Sequence, residues 1–164
     1  MCVIPGSEAV RRGYVRGLVD AGLQVQPAGV DLTLMKVEGF RSRGTIGLTS
    51  GSRVLSELEE IPATGGAYEL KPGCYKVTYN EVVEVPPQML ALSFPRSSLL
   101  RCGAYLGNAV WDPGYRGRGS GLLVVHNPEG IRLERNARLV QIIFMQMTEV
   151  PQEVYSGAFQ GENL

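Results

Sequence analysis

Histidine and cysteine are scarce in this 164-residue chain, with one of the first and three of the second. Cys2, Cys74 and Cys102 are odd in number and show none of the spacings of a disulfide framework or a zinc site. That usage fits a reducing, cytoplasmic setting. No His-x-Glu is followed by Pro-Cys-x-x-Cys, which excludes zinc-dependent nucleobase deamination. A phosphate-binding loop ending in Lys-Ser or Lys-Thr is missing, as is a nucleophile elbow. No stretch reaches the roughly 18 to 20 apolar residues needed to span a bilayer. Residues 1–25 place Arg11, Arg12 and Arg16 beside Glu8 and Asp20 and so lack the apolar core of a secretory signal. Sixteen basic residues balance sixteen acidic ones, so charge gives no pull towards nucleic acid or a membrane surface.

Glycine and proline, by contrast, are plentiful, at 21 and 10 residues. Spread along the chain, they suit short strands joined by tight turns. The spacing predicts one helix over about 7–22, with Ser7 as N-cap, Val10, Tyr14, Val15, Leu18 and Val19 on one face, and Gly22 as terminator. Val30, Leu32 and Leu34 then alternate with Asp31, Thr33 and Met35, the period of a half-buried strand. Residues 39–66 are interrupted by six glycines and read as an exposed excursion. Strands return from Tyr68, through Tyr75 to Tyr79, Val82 to Val85, Leu90 to Phe94, Gly121 to His126, Ile131 to Leu133 and Leu139 to Met147. The expected fold is all-β, a sandwich or distorted jelly roll, with a single domain over 1–154 and a mobile tail over 155–164.

Two segments concentrate chemistry. Pro95-Arg96-Ser97-Ser98-Leu99-Leu100-Arg101 follows a strand and sets guanidinium groups and hydroxyls where the chain reverses, a combination suited to polyphosphate oxygens. It also reads as a polar surface turn. Trp111-Asp112-Pro113-Gly114-Tyr115-Arg116-Gly117 puts a carboxylate three residues from a phenol at the mouth of a hairpin. A carboxylate there orients and deprotonates water, or caps its own backbone. The lone His126, inside an apolar strand, reads as structural.

In order along the chain, these segments resemble the motifs of the dUTPase and dCTP deaminase superfamily. Ala28 to Leu32 is similar to its first motif, Pro95 to Ser98 to its second and Asp112 to Gly117 to its third. Asn136 to Ile142 is similar to the fourth, and Tyr155 to Glu162 to the fifth. The opening helix and the Phe159-Gln160-Gly161 tail resemble the deaminase branch, which also includes monofunctional dUTPases. In deaminases a glutamate stands ten residues after the third-motif aspartate; here that position is Leu122, and Gly119 to Val125 holds no carboxylate.

The resemblance therefore implies a homotrimeric, Mg²⁺-dependent dUTP diphosphatase, releasing dUMP and pyrophosphate, with active sites shared between subunits. It implies that Asp112 activates water at the α-phosphorus and that Tyr115 packs under the sugar. Arg96, Ser97 and Ser98 would grip the phosphates, with Gln141 near them and Arg101 as a further helper. Asn108, in the segment Gly107 to Trp111, would read the base, and Phe159 with Gln160 would close over it. Mg²⁺ would be held by phosphates and water, with Asp31 either in outer-shell support or serving as a turn residue. Deamination of dCTP, alone or alongside dUTP hydrolysis, is the alternative. A nucleotide-binding trimer without catalysis is a third reading.

Overall fold

Alternating apolar residues dominate the chain from residue 25 onward, and in the computed structural model, which describes residues 2–164, nearly all of them lie in short antiparallel strands. In chain order the elements begin with β1 (Val3–Ile4), α1 (Gly6–Arg11), β2 (Val15–Arg16), α2 (Ala21–Gln24), β3 (Val25–Gln26) and β4 (Gly29–Phe40). After a one-turn 3₁₀ helix at Ser50–Ser52 come β5 (Leu58–Ile61), β6 (Ala67–Leu70), β7 (Gly73–Tyr79), β8 (Val82–Glu84) and β9 (Met89–Pro95). The rest are α3 (Ser97–Arg101), β10 (Ala104–Gly107), β11 (Arg116–Gly117), β12 (Ser120–Val125), β13 (Ile131–Glu134) and β14 (Arg138–Gln146).

The large sheet runs β1-β14-β4-β7-β12-β10, with β3 and β5 also on β4 and β9 on β14. Its hinge is β4. Residues 30–33 pair with β14, residues 34–39 pair with β7, and a bulge between Leu34 and Lys36 turns the strand from one to the other. The curled sheet closes around Val30, Leu32, Leu34, Tyr79, Leu106, Leu123, Ile142 and Phe144, all fully buried. Two small sheets, β11-β8-β2 and β13-β6, cover the flanks. This is the all-β, jelly-roll type of architecture expected.

Three expectations need correction. The single helix over 7–22 is instead α1, β2 and α2, because Gly13 (φ +76°) and Gly17 (φ +74°) take the left-handed region and end the first helix early. The residue before α1 is Pro5 with no side-chain cap, so Ser7 lies inside the helix; Asp20 caps α2 by accepting from the Leu23 N–H, and Gly22 lies within α2. The first half of β4 is buried on both faces, not one. Asp31 and Thr33 are 1% and 2% exposed because polar partners meet them: Glu81 accepts from the Thr33 N–H (2.8 Å) and hydroxyl (2.5 Å), and Gln24 donates to Glu81 (2.7 Å). Finally, His126 follows β12 and is exposed rather than lying inside a strand.

The excursion over 39–66 is exposed, yet its base is regular. β5 pairs with the end of β4, Val37 against Ile61 through Phe40 against Leu58, and Thr45 bridges Val54 further out. The result is a β arm whose tip presents Ile46, Leu48, Val54 and Leu55 to solvent.

Candidate active site

Between β10 and β11 the chain crosses the open end of the curled sheet. Trp111 pairs with Ala91 of β9 and buries its ring, donating from Nε1 to the Ser93 hydroxyl (3.0 Å). Gly107 closes β10, which pairs antiparallel with β12 (Gly107 opposite Leu122), so residues 108–119 form the long loop of that hairpin, and Trp111 bridges the loop to β9. Asp112 to Tyr115 then turns, with the Tyr115 N–H donating to the Asp112 carbonyl (3.1 Å), and leads into β11. This fixes Asp112 at the rim. Its carboxylate is exposed, and no hydrogen bond or ion pair among the described residues engages it.

A cavity of about 290 Å³ opens at this rim, lined by Asn108, Trp111, Asp112, Tyr115, Phe159 and Glu162 among others. That volume is at the lower end of those that hold small ligands. Tyr115 is buried, edge-on to Trp111 (5.4 Å between centroids) and to Tyr155 (5.8 Å), so its ring is rigidly placed. Asn108 accepts a 2.7 Å hydrogen bond from the Tyr79 hydroxyl, while its Nδ2 is buried with no partner among the described residues.

The C-terminal tail supplies the far wall. Gly161 N–H donates to the Arg116 carbonyl (2.8 Å), and Arg118 N–H donates to the Glu162 carbonyl (2.9 Å). Gln160 clasps the turn from both sides, donating to the Gly114 carbonyl (2.9 Å) and accepting from the Arg116 N–H (3.0 Å). The tail thus lies along residues 113–118 of its own chain. Phe159 lines the cavity, with the Arg53 guanidinium of the β arm 5.3 Å above its ring.

Sequence reasoning missed Glu162. Its carboxylate accepts from the Tyr115 hydroxyl (2.9 Å) and puts a second acid in the cavity beside Asp112. Burial pushes the Glu162 carboxyl above its ordinary range. Burial likewise pushes the Tyr115 phenol up, with the Glu162 charge adding to it, so the phenol stays protonated. The signal for Glu162 was slight, because its partner lies 47 residues away.

The phosphate-grip candidates gather elsewhere. Ser97 and Ser98 are exposed on α3, a one-turn helix where a simple reversal was expected, and Arg101 is exposed in its last turn. Arg96 precedes this helix, and its Nε is 3.0 Å from Asp31, which also meets Arg138 at 3.2 Å. Asp31 therefore sits in mid-strand between two guanidiniums rather than in a turn. Burial nonetheless pushes its carboxyl above the usual range, opposed by Arg96 and Arg138. Gln141 stands opposite Asp31 on one side and Phe94 on the other, half-buried.

Within one chain these two clusters are far apart. Trp111 lies across from Ala91, so Asp112 is level with Leu90, and Arg96 is six residues further along; at about 3.3 Å per residue the offset is roughly 20 Å. No group of three His, Cys, Asp or Glu that could cage a metal occurs among the described residues. The three cysteines are free and exposed, and no helix among the described residues is long and apolar enough to cross a membrane.

In fold, the chain is similar to the 2′-deoxycytidine 5′-triphosphate deaminase of Agrobacterium tumefaciens, with a TM-score of 0.67 at 24% identity; the match covers 87% of this chain and 47% of that one. In sequence, residues 9–147 match the dCTP deaminase-like family, and the chain belongs to that family. Among its relatives, a protein of Aeropyrum pernix named "Probable deoxyuridine 5'-triphosphate nucleotidohydrolase" is 41% identical over 98% of this chain and 99% of its own length. One of the same name from Archaeoglobus fulgidus is 40% identical over 100% and 99%.

Proposed function

We propose that this chain is a dUTP diphosphatase, converting dUTP and water to dUMP and pyrophosphate. The observation that carries it is the uncommitted Asp112 carboxylate in one cavity with Asn108 and Tyr115, on a chain 40–41% identical over nearly its full length to proteins named as dUTP nucleotidohydrolases. Asp112 accepts a proton from water as the water oxygen bonds to the α-phosphorus. The bond from the α-phosphorus to the bridging oxygen breaks, and pyrophosphate leaves with the electron pair. The rigid Tyr115 ring packs under the deoxyribose, where a 2′-hydroxyl would collide with it. Phe159 covers the base, and Gln160 holds the tail in place for it.

Arg96, Ser97, Ser98 and Gln141 take the phosphates, with Arg101 beside them. Since roughly 20 Å separates Arg96 from Asp112 along the sheet, a complete site takes these residues from a neighbouring copy, in a homotrimer. The substrate is the Mg²⁺ complex of dUTP. The ion would be held by phosphate oxygens and water, in keeping with its reluctance to dehydrate. Asp31 anchors Arg96 and Arg138 through Oδ2, so outer-shell support of Mg²⁺ would fall to its Oδ1. The exposed free thiols suit a reducing cytoplasm.

Deamination of dCTP is the second reading, and one observation favours it: Glu162 brings an acid into the cavity although Gly119 to Val125 offers none. Incubating the purified protein with dUTP and with dCTP, while following pyrophosphate and ammonia, separates the two. Pyrophosphate from dUTP without ammonia from dCTP is expected. Ammonia from dCTP at a comparable rate would overturn the assignment.

A further inference from the structure

Behind Asn108, on the side away from the cavity mouth, three strands meet. Tyr79 ends β7, Asn108 follows β10, and Gly121 lies in β12. Tyr79 is fully buried, and its hydroxyl's hydrogen bond among the described residues is the 2.7 Å donation to Asn108 Oδ1. A Cβ on Gly121 would stand 2.7 Å from both the Tyr79 hydroxyl and Asn108 Oδ1, so only glycine lets this pair close up under the cavity. Asn108 lines that cavity, and its remaining amide group, Nδ2, is buried with no partner among the described residues.

An asparagine amide can flip, and the two orientations offer a ligand opposite chemistry. Here the flip is decided by Tyr79. Burial keeps its phenol protonated, and a buried O–H without an acceptor costs more than an oxygen with an unused lone pair. Turning Nδ2 towards Tyr79 would set two donors against each other or strand the phenolic proton. Oδ1 therefore faces Tyr79, and the donor is the amide group left for a ligand in the cavity that Asn108 lines. A buried donor without a protein partner, on a residue that lines a cavity, is the pattern of a group kept for a ligand acceptor.

We infer that Tyr79 is a positioning residue for base selection: by holding Asn108 Oδ1 it presents Nδ2 to the 4-oxo group of uracil, and it sets the same donor against the 4-amino group of cytosine. The inference rests on the reading of this cavity as the base pocket. A site built around one fixed donor rejects the amino base because two N–H groups then face each other unpaired.

The test measures binding of the α,β-imido analogues of dUTP and dCTP, with Mg²⁺, to the wild type, Tyr79→Phe and Asn108→Asp. Wild type should prefer the uracil analogue. In Tyr79→Phe the amide is free to flip, and the preference should fall by about tenfold, with the cytosine analogue gaining relative to uracil. Asn108→Asp, which offers only acceptors, should move the preference further towards cytosine. If Tyr79→Phe weakens both analogues by the same factor while the wild type still hydrolyses dUTP, the hydroxyl is structural only and the inference fails alone. Wild type that binds neither analogue would overturn the base-pocket reading and this inference with it. Circular dichroism and melting of each variant establish that the comparison is made between folded proteins.

Discussion

The rim cavity and the Arg96 cluster are opposites in charge and shape. The cavity is concave and lined by rings, an amide and two carboxylates, but no arginine or lysine lines it. The Arg96 cluster pairs two guanidiniums around a buried carboxylate of β4 and carries exposed hydroxyls on a one-turn helix. A nucleoside triphosphate needs both environments, an apolar slot for the base and sugar and cations for some four negative charges. On the proposed reading, one chain folds each half of that requirement and holds them apart. Neither cluster alone meets both needs, and substitutions at either end separate their contributions.

The largest effect is expected at the cavity end. Asp112→Asn keeps the shape of the turn and removes the proposed base, so kcat for dUTP should fall by about 10²- to 10⁴-fold with binding of dUTP largely kept. Pre-steady-state and equilibrium binding measurements together check this. A smaller effect is expected at the other end. Asp31→Asn removes the charge that holds Arg96 and Arg138, both about 30% exposed and free to swing into solvent. KM for dUTP should rise about tenfold, and unfolding free energy should drop by about 1–3 kcal/mol, less than for a fully buried pair.

The smallest effect concerns the tail. Burial raises the Glu162 carboxyl in the docked tail above its ordinary value of 4.5. A raised acid binds its proton more tightly when docked, so docking is strongest below the ordinary glutamate pKa and weakens as pH rises through the raised value. Hydrogen exchange over residues 159–163 should therefore speed up with pH beyond its intrinsic dependence. Glu162→Gln should remove that extra slope. Equal slopes in the two proteins would detach the tail from this carboxylate.

How far these regions could be read beforehand follows from the reach of each contact. The strands of β7, β9, β12 and β14 were legible because alternation is local and survives any tertiary context. The N-terminal helix was overdrawn for the same reason: Val10, Tyr14, Val15 and Leu18 carry helical spacing, yet Gly13 and Gly17 break the chain and Val15 pairs with Val83 of β8 instead. The third-motif turn stood out through its Asp-Pro-Gly chemistry, while the burial of Trp111 beside it depends on the bridge to Ala91 of β9. What stayed hidden were pairings made across the sheet. Asp31 meets Arg96 because β14 lies between β4 and β9, with Gln141 opposite both Asp31 and Phe94. Glu162 meets Tyr115 because the tail folds back along β11. The β arm hid its register behind glycines at 39, 44, 47 and 51.

Mixing two inactive variants tests the central comparison most directly. Asp112→Asn and Arg96→Ala proteins should each be nearly inactive on dUTP as pure preparations. Co-refolded at equal amounts, random trimers should regain about a quarter of wild-type activity, since that share of sites draws an intact Asp112 from one copy and an intact Arg96 from its neighbour. Activity that stays at the level of the parent variants in a verified mixed trimer would contradict the account and put both clusters in the service of a single chain.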